Sequence, residues 1–600
     1  MYILGISCYY HDSAAALIKD GQIIAAAEEE RFSRKKHDSG FPALAIDFCL
    51  KTAGISNKDL DYVVFYEKPF RKLDRIMKTI ISTYPLSVWV FVQVMKNWLL
   101  KKLWIKSTIS ESLDIDSEKI LFTDHHLAHA ASAFLLSPFK QAAILTIDGV
   151  GEWATGTLGI GNENNITLFK QIEFPNSLGL LYSAFTAYLG FEVNEGEYKV
   201  MGMAAYGKPR FAEKIKANVL TIAPDGSFSL NLEYFSFQHS AKKSFSKKLE
   251  TLFGPSRPVN SDFFTDQFDY PSYFGEKPAD YLELCAKNQY YADIASSIQN
   301  VLEQIILNQV RFLAKQTKLK QLCIAGGVAL NSTANGCILN QGPFDQIYIQ
   351  PAPGDSGAAI GAALYVYHSV LNHKRVQVLE NAYLGQEYSS AEIAGFLEKN
   401  NIAAEKCESD LQLLDICSQA IADGKIIGWF QGRFEWGPRA LGNRSIIADP
   451  RDEKMKEIVN SKVKFREPFR PFAPVILESE LKNYFEIKNP DQYPLRFMLL
   501  VLGIKPEKRK IIPAVDHQGT GRVQTMSEQW NPLYYGLIKA FFQKTGVPLL
   551  LNTSFNLKGE PIVNTPENAY NTFIKSGLDL LVLGNYIIYK ETDTDEKNTK

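Results

Sequence analysis

Six hundred residues are too many for one hydrophobic core, so two or three domains are expected. A hydrophobic share of 46% and a net charge of −1 describe an ordinary globular chain and remove any global electrostatic case for a nucleic-acid partner. Seven cysteines with no CxxC pair exclude a disulfide framework and fit a reducing cytoplasm, and the opening MYILGIS reads as a strand without a basic leader, so no signal peptide is expected.

In chain order, YILGIS predicts a strand, CYYHDS a polar turn, and AAALIKDGQIIAAAEEE a hairpin across Asp20-Gly21. FPALAIDFCLKTAG predicts the helix that follows. Residues 79–95 carry no charge but include Pro85, Ser87 and Gln93, which falls short of a membrane span. With lysines following, this run offers either a membrane-surface helix or, as the favoured reading, a helix buried in a homodimer interface or against the core.

The stretch TDHHLAHAASAF predicts a helix on which His125 and His129, four residues apart, share one face. The strand AAILTID then ends in Asp148. Two imidazoles and a strand-end carboxylate form a mixed N/O set for a divalent metal, although spacing alone leaves a metal and an incidental surface pair equally open. From here the pattern of the N-terminus returns: strand, polar loop GVGEW, a hairpin across residues 161–165, then the helical SLGLLYSAFTAYLG. A unit repeated at this spacing, with strands and helices alternating, predicts a duplicated α/β domain.

Residues 210–290 are polar and irregular and read as an insertion, a lid or a wall of the acceptor site. DIASSIQNVLEQIILNQVRFLAKQ predicts a helix and QLCIAGG a strand, with Gly326-Gly327 a turn that a ligand can approach. QIYIQPAPGDSGAAIGAAL adds another strand, a Pro/Gly turn with Asp355, and a helix start suited to phosphate. Residues 371–378 are the expected linker, placing one domain at 1–370 and a second at 379–590. In the second, QGRFEWGPRALGNRSIIADPR and SKVKFREPFRPFAPV gather Arg433, Arg439, Arg444, Lys464, Arg466 and Arg470 among Gly, Pro and aromatic residues, which favours an anion site over a solvated face. HQGTGRVQT and PLLLNTSFNLKGEPIV add loops rich in hydroxyl and amide groups. Residues 591–600 form a charged tail.

The motifs HDSAAAL, EEERFSRKKHD, HHLAHAASAF, IDGVGEW, GEYKVMG, AGGVALN, PAPGDSGAA, RFEWGPRALGNRSI, KFREPFRPFAP and LNTSFNLKGEPIV together resemble the O-carbamoyltransferases of natural-product biosynthesis, the group of the nodulation and aminoglycoside carbamoyltransferases. The resemblance implies an actin/hexokinase-type ATPase domain like that of the tRNA threonylcarbamoyl transferases, followed by a YrdC-like α/β domain. It implies that the second domain makes carbamoyl adenylate from carbamoyl phosphate and ATP, with Mg(II) on the nucleotide, and that the intermediate passes inside the protein to the first domain. There a hydroxyl of a small natural product would take the carbamoyl group and release AMP.

Carried over by residue, His125, His129, Asp148 and Asp355 match the metal ligands, with Fe(II) or another divalent ion implied. Gly326, Gly327 and Asn331 fall on the nucleotide loop. His11 matches the general base, with Asp12 orienting it and Lys36 contacting phosphate or acceptor; His37 and His126 are expected to be non-ligands. Arg439, Arg444, Lys464 and Arg466 would hold the anions, with His517, Thr520, Arg522, Ser554 and Asn556 on loops of the same site. A sugar-kinase-like phosphotransferase and a nucleotide-sensing scaffold are the competing readings; the first needs no Arg-rich second domain, and the second predicts decay of the His/Asp or Arg sets.

Overall fold

The computed structural model describes residues 1–100, 102–267 and 270–590; the charged tail at 591–600 lies outside the described residues. The chain divides into two compact units, one built from residues 1–29, 37–379 and 491–494, the other from residues 30–36, 380–490 and 495 onward.

The first unit holds two five-stranded sheets. In the first, β1 (Tyr2–Ser7), β2 (Ala14–Lys19), β3 (Gln22–Glu28), β4 (Tyr62–Phe65) and β5 (Ile120–Phe122) lie in the order β3-β2-β1-β4-β5. β1–β3 form an antiparallel meander, and β4 and β5 add in parallel. The β2–β3 turn falls at Asp20-Gly21, where both residues have positive φ (50° and 82°), as a tight hairpin requires. The second sheet repeats the plan. β6 (Gln141–Ile147), β7 (Ala154–Asn162) and β8 (Asn165–Glu173) form its meander, a small ribbon of β9 (Leu220–Ile222) and β10 (Phe228–Leu230) stands apart, and β11 (Gln321–Ala325) and β12 (Gln346–Tyr348) extend it in parallel on the other side of β6. Identical connectivity in both sheets is the duplication that the sequence predicts. The strands that cross the core, such as VVF and AILTI, are buried almost without break, which is why they read as continuous apolar runs.

Small residues set how closely the helices approach these sheets. A Cβ on Gly5 of β1 would lie 1.9 Å from the Ala359 carbonyl, and one on Gly361 would lie 1.9 Å from the carbonyl of Ala128. The helix Asp355–Leu364 is thereby pressed against both β1 and the histidine helix His125–Phe134, which brings Asp355 to the histidines. The predicted helix at 293–316 is the C-terminal part of a 37-residue helix, Tyr281–Thr317. Residues 371–378, read as a linker, sit within the first unit: Arg375 donates to the carbonyls of Leu135, Ser137 and Phe139.

The second unit is built on a ten-stranded mixed sheet. At its centre Ile427–Phe430, Arg444–Ala448, Leu549–Ser554 and Ala473–Leu477 pair antiparallel in that order, and Thr520–Met526 joins Ala473–Leu477 in parallel. The segment Glu30–Lys36 belongs to this unit; within it Arg31 donates to the Gly437 carbonyl, and Arg34 to those of Pro561 and Ile562. Among the described residues no helix is long and apolar enough to cross a membrane, and all seven cysteines are free thiols.

Candidate functional site

In the first unit the histidine helix, the end of β6 and the start of the helix Asp355–Leu364 deliver His125, His129, Asp148 and Asp355 to one point. The Nε2 atoms of His125 and His129 face one another at 3.1 Å. Asp148 Oδ2 lies 2.9 Å from His125 Nε2 and 3.4 Å from His129 Nε2, and Asp355 Oδ1 lies 3.6 and 3.5 Å from the same atoms. Donors about 2.1 Å from a divalent ion stand roughly 3.0–3.4 Å from one another in octahedral or tetrahedral arrangement, so these separations are near the edges of a coordination shell.

The set is buried, Asp355 being 2% exposed, yet neither of its carboxylate oxygens has a hydrogen-bond partner. A buried carboxylate without partners is costly unless a cation compensates it, so the residues fit a divalent metal. Electrostatics point the same way. Burial alone would depress the His129 pKa, but the adjacent carboxylates of Asp148 and Asp355 outweigh it and lift the ring to about 9. The aspartates thus draw positive charge to this point.

Neighbouring groups fix the ligands. Gly327 N–H donates to Asp148 Oδ1 at 2.9 Å, leaving Oδ2 turned to the histidines. Gly326 sits at φ +93°, and a Cβ there would lie 2.2 Å from the Ile147 carbonyl, so the turn requires glycine. Gly326 and Gly327 therefore shape the His/Asp end of this site. Asn331 caps the helix Ser332–Gln341 and pairs reciprocally with Gln299, which commits its amide within the fold. Both ring nitrogens of His126 are occupied, by Thr146 Oγ1 at 2.6 Å and the Ala154 carbonyl at 2.9 Å, and burial lowers its pKa to about 3.

Several residues of this site escaped the sequence reading. Glu152 accepts the His125 backbone N–H and so caps the histidine helix, while Asp124, at the N-cap itself, pairs with Lys68 and Arg71. Glu67 stands 4.0 Å from His125 Nδ1 and binds Lys72 at 2.6 Å. The buried Arg75 lies over the Phe174 ring at 5.0 Å. A carboxylate directly after β4, in FYEKP, is the one sequence signal that could have found Glu67.

The N-terminal loop contributes a second group. Asp12, at φ +52°, accepts from His11 Nδ1 at 2.9 Å and from His37 Nδ1 at 2.7 Å, so it clamps two imidazoles rather than orienting one. Burial opposes charge on His11, but the bond to Asp12 and the charges of Asp355 and Asp148 lift its pKa to about 9.

In the second unit Lys464, Arg466, Ser554 and Asn556 come together. Lys464 Nζ donates to the Ser554 carbonyl (2.8 Å), the Asn556 carbonyl (2.8 Å) and Asn556 Oδ1 (2.7 Å). Burial, and then the nearby charges of Arg466, Arg470 and Lys36, push its pKa well down. Lys36 thus sits with the cations of the second unit, where its segment folds, and not among the groups of the first. Arg466 Nε donates to Asn460 Oδ1 at 2.8 Å and the guanidinium stacks on Phe472 at 4.6 Å. His517 and Thr520 pair through their backbones at the start of Thr520–Met526, the strand that carries Arg522. Cations gathered around a buried lysine form a site that an anion would relieve.

Arg444 corrects the expectation of an anion ligand. It is 0% exposed, stacks on Phe430 at 3.6 Å, and donates to the carbonyls of Asn443 (3.0 Å), Gly432 (3.1 Å), Gln386 (3.2 Å) and Gln431. Its terminal nitrogens are committed to backbone. Arg433 is used likewise, on Leu384 and Gly385. Arg444→Met is expected to cost about 3 kcal/mol of stability by stranding these carbonyls, measured by denaturant unfolding. Full stability in that variant would contradict the clamp.

The family model described as Carbamoyltransferase N-terminus matches residues 2–364, and that described as Carbamoyltransferase C-terminus matches residues 418–590. An uncharacterized protein of Synechocystis sp. is 43% identical, covering 98% of this chain and 97% of its own length. Nodulation protein NolNO of Sinorhizobium fredii is 36% identical, covering 98% of this chain and 80% of its own. Among solved structures, HypF of T. kodakarensis aligns with a TM-score of 0.32 at 14% identity, over 62% of this chain and 48% of that one.

Proposed function

The chain belongs to the carbamoyltransferase family, an enzyme family, and on that premise we propose that it is an ATP-dependent O-carbamoyltransferase acting in two steps. The observation that carries this reading is the presence, in one chain, of a buried two-His two-Asp cluster with an orphaned carboxylate and a separate unit whose cations gather round Lys464. A simple phosphotransferase has no use for the second.

In the proposed first step, in a YrdC-like second unit, carbamoyl phosphate and ATP with Mg(II) yield carbamoyl adenylate, phosphate and pyrophosphate, one water being consumed. Lys36, Arg439, Lys464, Arg466 and Arg522 supply positive charge for these phosphates, and His517, Thr520, Ser554 and Asn556 supply polar contacts. Activation is needed because the nitrogen lone pair makes a carbamoyl carbonyl a poor electrophile; joined to AMP it gains a good leaving group.

In the second step a hydroxyl of a small-molecule acceptor attacks the carbamoyl carbon in the first unit and AMP leaves. His125, His129, Asp148 and Asp355 would hold Fe(II) or a related divalent ion, which when bound supplies positive charge beside the departing phosphate. Gly326 and Gly327 keep the backbone open to the nucleotide. Once the charges of Asp148 and Asp355 are offset, His11 is relieved of their upward pull. Part of its upward shift is thereby removed, while the bond to Asp12, the largest raising cause, remains and stabilises the imidazolium once the ring has taken the hydroxyl proton. Closure of the site against water protects the labile mixed anhydride.

His11→Asn is accordingly expected to slow transfer by about 10²–10⁴-fold while leaving pyrophosphate release intact; loss of both steps together would remove His11 from the proton path. The reading as a whole is tested by mass spectrometry of candidate hydroxyl acceptors incubated with enzyme, carbamoyl phosphate and ATP. Addition of one carbamoyl group supports it, and addition of a phosphoryl group would replace it with a kinase.

A further inference from the structure

The uncharged run at 79–95 is not absorbed by the chemistry above, and the structure does not bury it against the core. It forms the end of the helix Pro69–Ser82, a turn, and most of the helix Val88–Leu100. Ile81 is 71% exposed, Tyr84 74%, Leu86 65%, Trp89 80% and Val92 54%, and Trp104 just beyond is 60% exposed. An exposed apolar surface of this extent marks a docking site.

Its charge surroundings identify what docks. From residue 68 to residue 109 the sequence has nine lysines and arginines and a single acidic residue, Asp74, in a chain that as a whole is balanced at 65 cations to 66 anions. Lys96 and Lys106 are exposed and form no ion pair among the described residues, whereas Lys78 is matched by Asp74 and Lys72 by Glu67. Apolar side chains bracketed by unmatched lysines, with Trp and Tyr at the exposed edge, have the composition of a surface that lies in a bilayer interface. A second copy of the chain fits less well, because a twofold contact would set these lysines against their own counterparts.

We propose that the surface formed by residues 79–96 and 102–106 docks on an anionic lipid bilayer, Trp89 and Leu86 entering the interface while Lys96 and Lys106 meet the headgroups. This surface is also tied to the transfer site. Lys102 Nζ donates to the Tyr9 carbonyl at 2.6 Å, two residues before His11, and Lys72 on the preceding helix holds Glu67 beside His125. Docking would therefore bring the first unit's reacting loop to a membrane surface, where an amphiphilic acceptor is concentrated.

The test is co-sedimentation of the full-length protein with vesicles of phosphatidylcholine alone and of phosphatidylcholine with phosphatidylglycerol. Binding is expected only to the anionic vesicles and should weaken as salt is raised. Lys96→Gln with Lys106→Gln should lower partitioning roughly 30-fold, about fivefold per lysine near the surface. Leu86→Ser with Trp89→Ser should remove binding, and because both side chains are largely exposed the circular dichroism should not change. Absence of binding to anionic vesicles, or binding that survives the Leu86/Trp89 double change, would overturn the proposal. So would a wild-type dimer that ignores vesicles and dissociates on Trp89→Ser, which would assign the surface to a second copy.

Discussion

His129→Ala is expected to abolish retention of the divalent ion, lowering its affinity well beyond the roughly 10–100-fold loss typical of changes to groups that only hold the ligands in place, and carbamoyl transfer with it. His129 is wholly buried, and its Nε2 stands 3.1–3.5 Å from the three other donor atoms, so alanine leaves a gap that no neighbour fills. Elemental analysis after gel filtration should find about one ion per wild-type chain and none in the variant. Asp355→Asn provides the companion test. With the ion stripped by a chelator, the neighbouring imidazoles still hold the Asp355 carboxyl below its usual range, so the neutral amide should be somewhat less stable at neutral pH. With the ion present the gap should widen, because only wild type gains the stabilisation of binding. Full ion content in His129→Ala would rule out the ligand assignment.

Arg466→Ala is expected to lower pyrophosphate release from carbamoyl phosphate and ATP by about 10²–10³-fold while sparing transfer from supplied carbamoyl adenylate. Arg466 is among the charges that depress the Lys464 pKa, and it donates to Asn460 and stacks on Phe472. The thermal shift given by ATP should shrink in the variant. Equal loss of both half-reactions would contradict the division of chemistry between the two units.

The meeting of His125, His129 and Asp148 was largely legible because helix and strand periodicities act locally: the two histidines share a face by spacing, and Asp148 closes a strand that is visible as an apolar run. The duplication was legible for the same reason. Asp355 was reachable only through the resemblance, since its approach to the histidines depends on the contacts at Gly5 and Gly361 between elements distant in sequence. Arg444 misled because a guanidinium fork suits backbone carbonyls as well as phosphate, and only burial tells the two apart. Lys36 follows the N-terminal sheet in sequence, yet its segment folds with the second unit. The run at 79–95 shows the limit of hydropathy, which says that a segment is apolar and not what covers it.

The most direct measurement of the two-step account is the nucleotide product. Enzyme with carbamoyl phosphate, ATP and Mg(II) should release pyrophosphate, with AMP appearing in step with carbamoylated acceptor once a hydroxyl substrate is added. ADP as the product, with no pyrophosphate, would contradict it.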